Sequence, residues 1–291
     1  MSELVRIANG GLTATISTLG AELQSLTDAA GREYMTDADP AFWSGHAPLL
    51  FPIVGRLNGD TLRVDGQGYA MKQHGPARRS EWQLLEAGAE AATFRLSDTA
   101  ETREAYPFAF ALKMAFALAG TTLHMTATVR NPGETPLPFS IGYHPAFAWP
   151  LPGGGDKLAH EITFQDDEPQ DIRRLDADGL LAGHESSPVR GDRLALSPDL
   201  FAADAMIWDE LASRSLTYRG MNGVALEIAF PDTPFLGIWQ KPGANFLCIE
   251  PWAGHADPAG FTGEFREKPG IMVLEPGGER SFRMDVTVVQ G

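Results

Sequence analysis

A glutamate closes an otherwise apolar run in Phe246-Leu247-Cys248-Ile249-Glu250-Pro251-Trp252. Burying an ionised carboxylate is costly unless it is paired or hydrogen-bonded. Glu250 therefore either neutralises an arginine or histidine structurally or is kept for chemistry. Burial beside aromatics raises a carboxyl pKa, which suits a general base working near neutrality. His144 stands in Phe139-Ser140-Ile141-Gly142-Tyr143-His144-Pro145-Ala146-Phe147. The following proline restricts it to extended backbone and ends the strand there. An imidazole fixed at a strand end among aromatics is a candidate proton donor, with a packed core histidine as the alternative.

Two further segments carry reactive side chains. His74, in Gln73-His74-Gly75-Pro76-Ala77-Arg78, sits in a turn where backbone can approach a ligand closely. Arg56 follows the apolar stretch Pro48-Leu49-Leu50-Phe51-Pro52-Ile53-Val54-Gly55, where on its own a plain surface arginine is the leading reading. Cys248 lies two residues before Glu250, so on a strand it shares that face. No basic residue adjoins it, and it reads as a small buried hydrophobe rather than a nucleophile. The seven histidines include no His-x-His pair, so no metal is expected, and His255 is expected behind the site or on the surface.

These residues must be positioned by strands. Leu123, Met125, Ala127 and Val129 alternate with His124, Thr126, Thr128 and Arg130. Phe108 to Leu118 alternates likewise, and Ala119-Gly120-Thr121 between the two segments reads as a hairpin turn. Val224 to Phe230 and Phe282 to Val288 repeat the period of two. The best helix candidate, around residues 198–213, is short and carries two aspartates near its middle. Residues 152–156 and 166–178 read as long loops. With 31 glycines and 21 prolines spread as punctuation, many brief strands joined by tight turns are expected. The predicted fold is all-β, a large antiparallel sandwich, with residues 1–291 as one domain.

Composition narrows the function. Hydrophobic residues at 43% and charged residues at 21% describe an ordinary globular chain. The net charge of −15 repels phosphate backbones and anionic lipid, so no nucleic acid or membrane partner is expected and a neutral small molecule fits best. One cysteine permits no internal disulfide, and no signal or membrane-spanning run is read, so a cytoplasmic location is expected. Oligomeric state is not legible.

The ordered set Phe-Pro-Ile-Val-Gly-Arg, Gln-His-Gly-x-Ala-Arg, Gly-Tyr-His-Pro-Ala-Phe and Cys-Ile-Glu-Pro-Trp resembles the aldose 1-epimerase (galactose mutarotase) family, in its lactose-operon-type branch. The resemblance runs from about residue 10 to 285 and implies a β-sandwich isomerase that needs no cofactor. By that resemblance Glu250 is the base at the anomeric hydroxyl and His144 the acid at the ring oxygen. His74 and Arg56 resemble residues that grip the sugar. Asp204, after Leu200-Phe201, matches a further binding aspartate, with Asp209 as the alternative. Arg78 resembles an arginine of relatives that handle sugar phosphates, and Pro76 departs from the branch's usual residue.

Mutarotation opens a cyclic hemiacetal, turns the aldehyde about C1–C2 and recloses it from the other face. One base and one acid suffice. A coupled site is expected in which Arg56 and a protonated His144 keep Glu250 ionised, with a bell-shaped pH dependence. Trp239, Trp252 and Phe147 are candidate walls for the sugar. Alternatives are a non-catalytic sugar-binding sandwich, a mutarotase acting on a hexose 6-phosphate, and a glycoside hydrolase, which needs two carboxylates about 5–9.5 Å apart.

Overall fold

The computed structural model describes residues 2–291. Nine strands form one antiparallel sheet, in the order Arg193–Ala195, Glu161–Phe164, Ser215–Arg219, Ala225–Ala229, Glu279–Val289, Thr122–Arg130, Ala111–Ala119, Ala91–Ser97 and Gln83–Ala87. The four segments with clear period-two alternation are neighbours in the middle of this sheet. Leu123, Met125, Ala127 and Val129 are buried, while His124 and Thr126 on the other face are partly solvated. That division gives an antiparallel strand its alternating sequence. The turn at Gly120, with φ of 58°, joins Ala111–Ala119 to Thr122–Arg130 as expected.

The second large sheet has eight strands. Along its path lie Leu181–Glu185, Ile172–Leu175, Met206–Trp208, Phe235–Trp239, Phe246–Ala253, Ile141–Tyr143 and Leu49–Leu50, and Ala146–Ala148 also pairs with Phe246–Ala253. Residues of both sheets meet in one hydrophobic core, in which Leu112, Met125 and Met284 share a cluster with Trp208, Leu236 and Ile249. A smaller three-stranded sheet, Leu4–Ala8, Leu12–Ser17 and Glu22–Asp28, contributes Ile7, Leu12 and Ile16 to the same core.

Strand Phe246–Ala253 is buried along its whole length. Its odd positions Leu247 and Ile249 face the main core, whereas Phe246, Cys248 and Trp252 belong to smaller apolar clusters on the other face. Glu250 falls on that second face. Tyr143 anchors the adjoining strand across the sandwich. Its buried hydroxyl accepts the Ala127 N–H at 2.9 Å and donates to the Phe282 carbonyl at 2.8 Å, two residues paired in the nine-stranded sheet. Alternation then sends His144 the opposite way, out of the core.

Two local expectations change. Residues 198–213 are not a helix: a 3₁₀ turn at Pro198–Phe201 is followed by strand Met206–Trp208. Asp204 takes a left-handed φ of 66° and accepts the neighbouring Ala205 N–H at 2.7 Å, the kind of local bond that competes with helix. The stretch 166–178 contains strand Ile172–Leu175 rather than loop throughout. The single α-helix among the described residues is Ala100–Ala105, capped reciprocally by Thr99 and Thr102. No helix of the described residues is long and apolar enough to cross a membrane.

Candidate active site

The second face of the eight-stranded sheet carries a cavity of about 80 Å³ lined by Glu250, His144, His74, Asp204, Gln73 and Trp252, among others. Two glycines make room for its floor. A Cβ on Gly142 would lie 2.4 Å from the Trp252 indole, and one on Gly237 would also lie 2.4 Å from it. Gly142 pairs with Trp252 in register, and Gly237 pairs with Glu250. The indole thus lies flat across bare backbone beside the carboxylate. Larger cavities exist elsewhere, but none of them is lined by this group of proton-transferring side chains.

Glu250 and His144 are in direct contact, with His144 Nε2 3.2 Å from Glu250 Oε2. Both are buried, at 2% and 7% exposure. Burial pushes the Glu250 carboxyl well above the ordinary carboxylate range. The nearby Asp204 charge pushes the same way, and Arg78 opposes it. The His144 imidazole moves down to about 3, through burial first and the Arg78 charge second. This overturns the expected charged histidine: desolvation outweighs the neighbouring carboxylates. Both shifts favour the uncharged forms, a carboxylic acid at Glu250 and a neutral imidazole at His144.

His74 supplies a donor of fixed tautomer. Its Nδ1 accepts the Gly55 N–H at 3.1 Å, so in the neutral ring the proton sits on Nε2. Burial, His144 and Arg78 all keep the ring neutral. The turn that presents it is strained on purpose of geometry: His74 has φ of 65° and Gly75 φ of 70°. A Cβ on Gly75 would meet the Phe51 carbonyl oxygen at 2.2 Å. Gly75→Ala is expected to destabilise the fold by about 1–3 kcal/mol and to displace His74, read as a lowered urea midpoint. An unchanged midpoint would show that the turn tolerates a side chain.

A sequence model described as Aldose 1-epimerase matches residues 3–272. The chain belongs to the aldose 1-epimerase family. This family places it among isomerases. Protein LacX, chromosomal, of Lactococcus lactis subsp. lactis is 31% identical over 296 residues, covering 98% of this chain and 99% of that protein. The galactose mutarotase related enzyme from Lactobacillus acidophilus superposes with a TM-score of 0.91 at 33% identity, over 98% of this chain and 97% of that one. A galactose mutarotase-like protein from Lactobacillus casei gives 0.91 at 30%, over 98% and 100%. The chain is thus an aldose 1-epimerase family member of the lactose-operon type, and its antiparallel fold is that of its galactose mutarotase-like neighbours.

Within this aldose 1-epimerase fold, four residues singled out in the sequence converge on the cavity: Glu250, His144, His74 and Asp204. Asp209 instead pairs with Arg173 at 2.8 Å. Arg56 does not line the cavity. Asp60 engages its guanidinium bidentately at 2.7 and 2.8 Å, and the Asp178 carbonyl accepts from it at 3.4 Å. The arginine whose charge reaches Glu250, His144 and His74 is Arg78. Arg78 makes no hydrogen bond or ion pair among the described residues. Trp252 lines the cavity, Trp239 stands behind His144, and Phe147 faces the main core. His255 is buried, and its ring bonds the Ala256 carbonyl at 2.7 Å.

One nitrogen of His144, the Cys248 thiol and a Glu250 oxygen lie within 4.8 Å of one another, the one group of three possible metal ligands among the described residues. Burial, and then the Glu250 charge, push the thiol pKa well up, which disfavours the thiolate a metal needs. Sequence reading missed Trp43. Its indole stacks on His144 with centroids 4.9 Å apart and planes at 24°. Only the pair Phe42-Trp43 ahead of Gly45 signals it.

Proposed function

We propose that the chain interconverts the α and β anomers of a free aldose by general acid–base ring opening. The observation that carries this reading is the buried contact between His144 and Glu250 at the floor of a solvent-reached cavity. The anomeric hydroxyl and the ring oxygen are bonded to one carbon, so an adjacent base and acid can address both. The Glu250 proton first shifts to His144 across the contact. The carboxylate then takes the proton of the anomeric hydroxyl while the imidazolium protonates the ring oxygen, and the C1–O5 bond breaks. The pair is left as carboxylic acid and neutral imidazole, the arrangement favoured by burial. After rotation about C1–C2 the same steps reverse on the other face. Protons balance, and no covalent intermediate forms.

The cavity is well under the roughly 300 Å³ at which small-molecule pockets begin. It encloses the reducing end, and the rest of the sugar occupies the mouth. There Asp204 is exposed and contributes its carboxylate, and no lysine or arginine belongs to the lining. A phosphate there would meet the Asp204 carboxylate, while the Arg78 charge acts at the reacting end and the Arg174 guanidinium is engaged by the Asp204 carbonyl at 2.9 Å. The expectation is that free aldoses exceed their 6-phosphates by roughly tenfold or more in kcat/KM. Polarimetry or NMR on freshly dissolved α-anomers, free and 6-phosphorylated, tests both points. Saturable binding with no acceleration would favour a sugar-binding module, and faster turnover of the phosphates would reverse the substrate assignment.

A further inference from the structure

The imidazole of His144 lacks the usual means of orientation. In a proton-transferring histidine, the second ring nitrogen commonly hydrogen-bonds a carbonyl or carboxylate, which sets tautomer and ring plane. Here Nε2 faces Glu250, while Nδ1 is buried without a hydrogen-bond partner. What surrounds the ring is aromatic. Trp43 stacks on its face at 4.9 Å, and His74 and Trp239 stand edge-on at 5.6 and 6.1 Å.

Trp43 is itself built into place. Its backbone N–H donates to the Asp39 carbonyl at 3.0 Å, and the Asp39 side chain accepts the Ala41 N–H at 2.9 Å, closing the turn that carries it. The indole also packs against Trp239 and Phe246, at 5.9 and 5.8 Å. A Cβ at Gly45 would lie 2.5 Å from the outer edge of the indole, so a glycine there lets the ring lie over His144.

We propose that Trp43 is a positioning residue of this site, its indole face holding the plane of the His144 imidazole where a hydrogen bond to Nδ1 is missing. The inference rests on the role given to His144 above. The stack does a second thing. During turnover the imidazolium carries an N–H without a partner, and an aromatic face attracts a cation. Glu250, Cys248, His74 and Arg78 are the titratable and charged groups around this ring. Glu250 favours its charged form and Arg78 opposes it, but none of the four covers the imidazole face as Trp43 does.

Three variants and two readouts test the proposal. Trp43→Ala is expected to lower kcat about 10- to 100-fold, with KM held within about twofold, whereas Trp43→Phe, which keeps an aromatic face, recovers most of the loss. Gly45→Ala retains the indole but pushes it aside, and should fall between them. NMR titration of the His144 imidazole is expected to move up by at least about one pH unit in Trp43→Ala, because burial is the largest cause of its depression and the hydration gained outweighs the aromatic attraction lost. A folded Trp43→Ala with wild-type kcat and an unmoved titration would overturn the proposal. Equal losses in Trp43→Ala and Trp43→Phe with an unmoved titration would overturn it too. Should the wild-type protein show no anomer exchange, the functional reading fails by itself, and the titration alone decides the role of Trp43.

Discussion

Glu250→Gln is expected to lower anomer-exchange turnover by about 10²–10⁴-fold, the usual contribution of a positioned proton transfer, while the fold survives. Glutamine keeps the shape of the side chain beside Trp252 and Cys248 but cannot take up the hydroxyl proton. Burial already biases Glu250 toward its neutral form, so the amide leaves no uncompensated buried charge, and replacing a costly buried carboxyl is often neutral for stability. The two effects are separable: polarimetry reads the rate, and a urea titration reads the fold. A variant with a wild-type unfolding midpoint and near-normal turnover would remove the proposed base.

His144→Asn is expected to have an effect of the same order, for a different reason. Asparagine can bond the ring oxygen but cannot deliver a proton to it, and it offers Trp43 no ring to stack on. The wild-type pH dependence carries the signature of the pair. Burial, assisted by Arg78, holds His144 near about 3, so kcat/KM should stay high through mildly acid solution and fall only as the pH approaches that value. Glu250 sits well above the ordinary carboxylate range, so the alkaline limb, where the shared proton is lost, lies higher than a free carboxylate would give. Both limbs belong to the coupled pair rather than to one residue. In His144→Asn the acid limb should disappear with most of the rate. A steep acid limb near the ordinary histidine range, about 6.5, would contradict the neutral imidazole.

Much of this was readable from the residues, and the reasons are physical. The nine-stranded sheet has one solvated face, so its central strands announce themselves through alternation. The strand that carries Glu250 is buried on both sides, and its sequence shows only an apolar run with one misplaced carboxylate. That misplacement made Glu250 conspicuous. His144 and His74 were marked by neighbouring proline and glycine, which fix backbone where side chains must be aimed.

What stayed hidden depends on contacts between remote segments. Asp60 lies near Arg56 in sequence, but nothing there says that the Asp178 carbonyl will also hold its guanidinium, or that Arg78 will supply the charge felt at the reacting end. Trp43 stands about 100 positions from the imidazole it covers, and only the folded chain brings them together. The sign of the His144 shift was hidden for the same reason, since charges can be counted in a sequence but desolvation cannot. The helix expected around 198–213 failed because Asp204 bonds its own neighbourhood instead of extending a helix.

Magnetisation transfer between the α and β anomeric protons of an equilibrated aldose tests the central claim most directly, because it reports exchange at equilibrium without net turnover. With a catalytic amount of the wild-type protein, transfer should appear well above the buffer rate and vanish in Glu250→Gln. Protein-induced broadening of the sugar resonances, with exchange no faster than in buffer, would mean that the cavity binds the sugar without opening it.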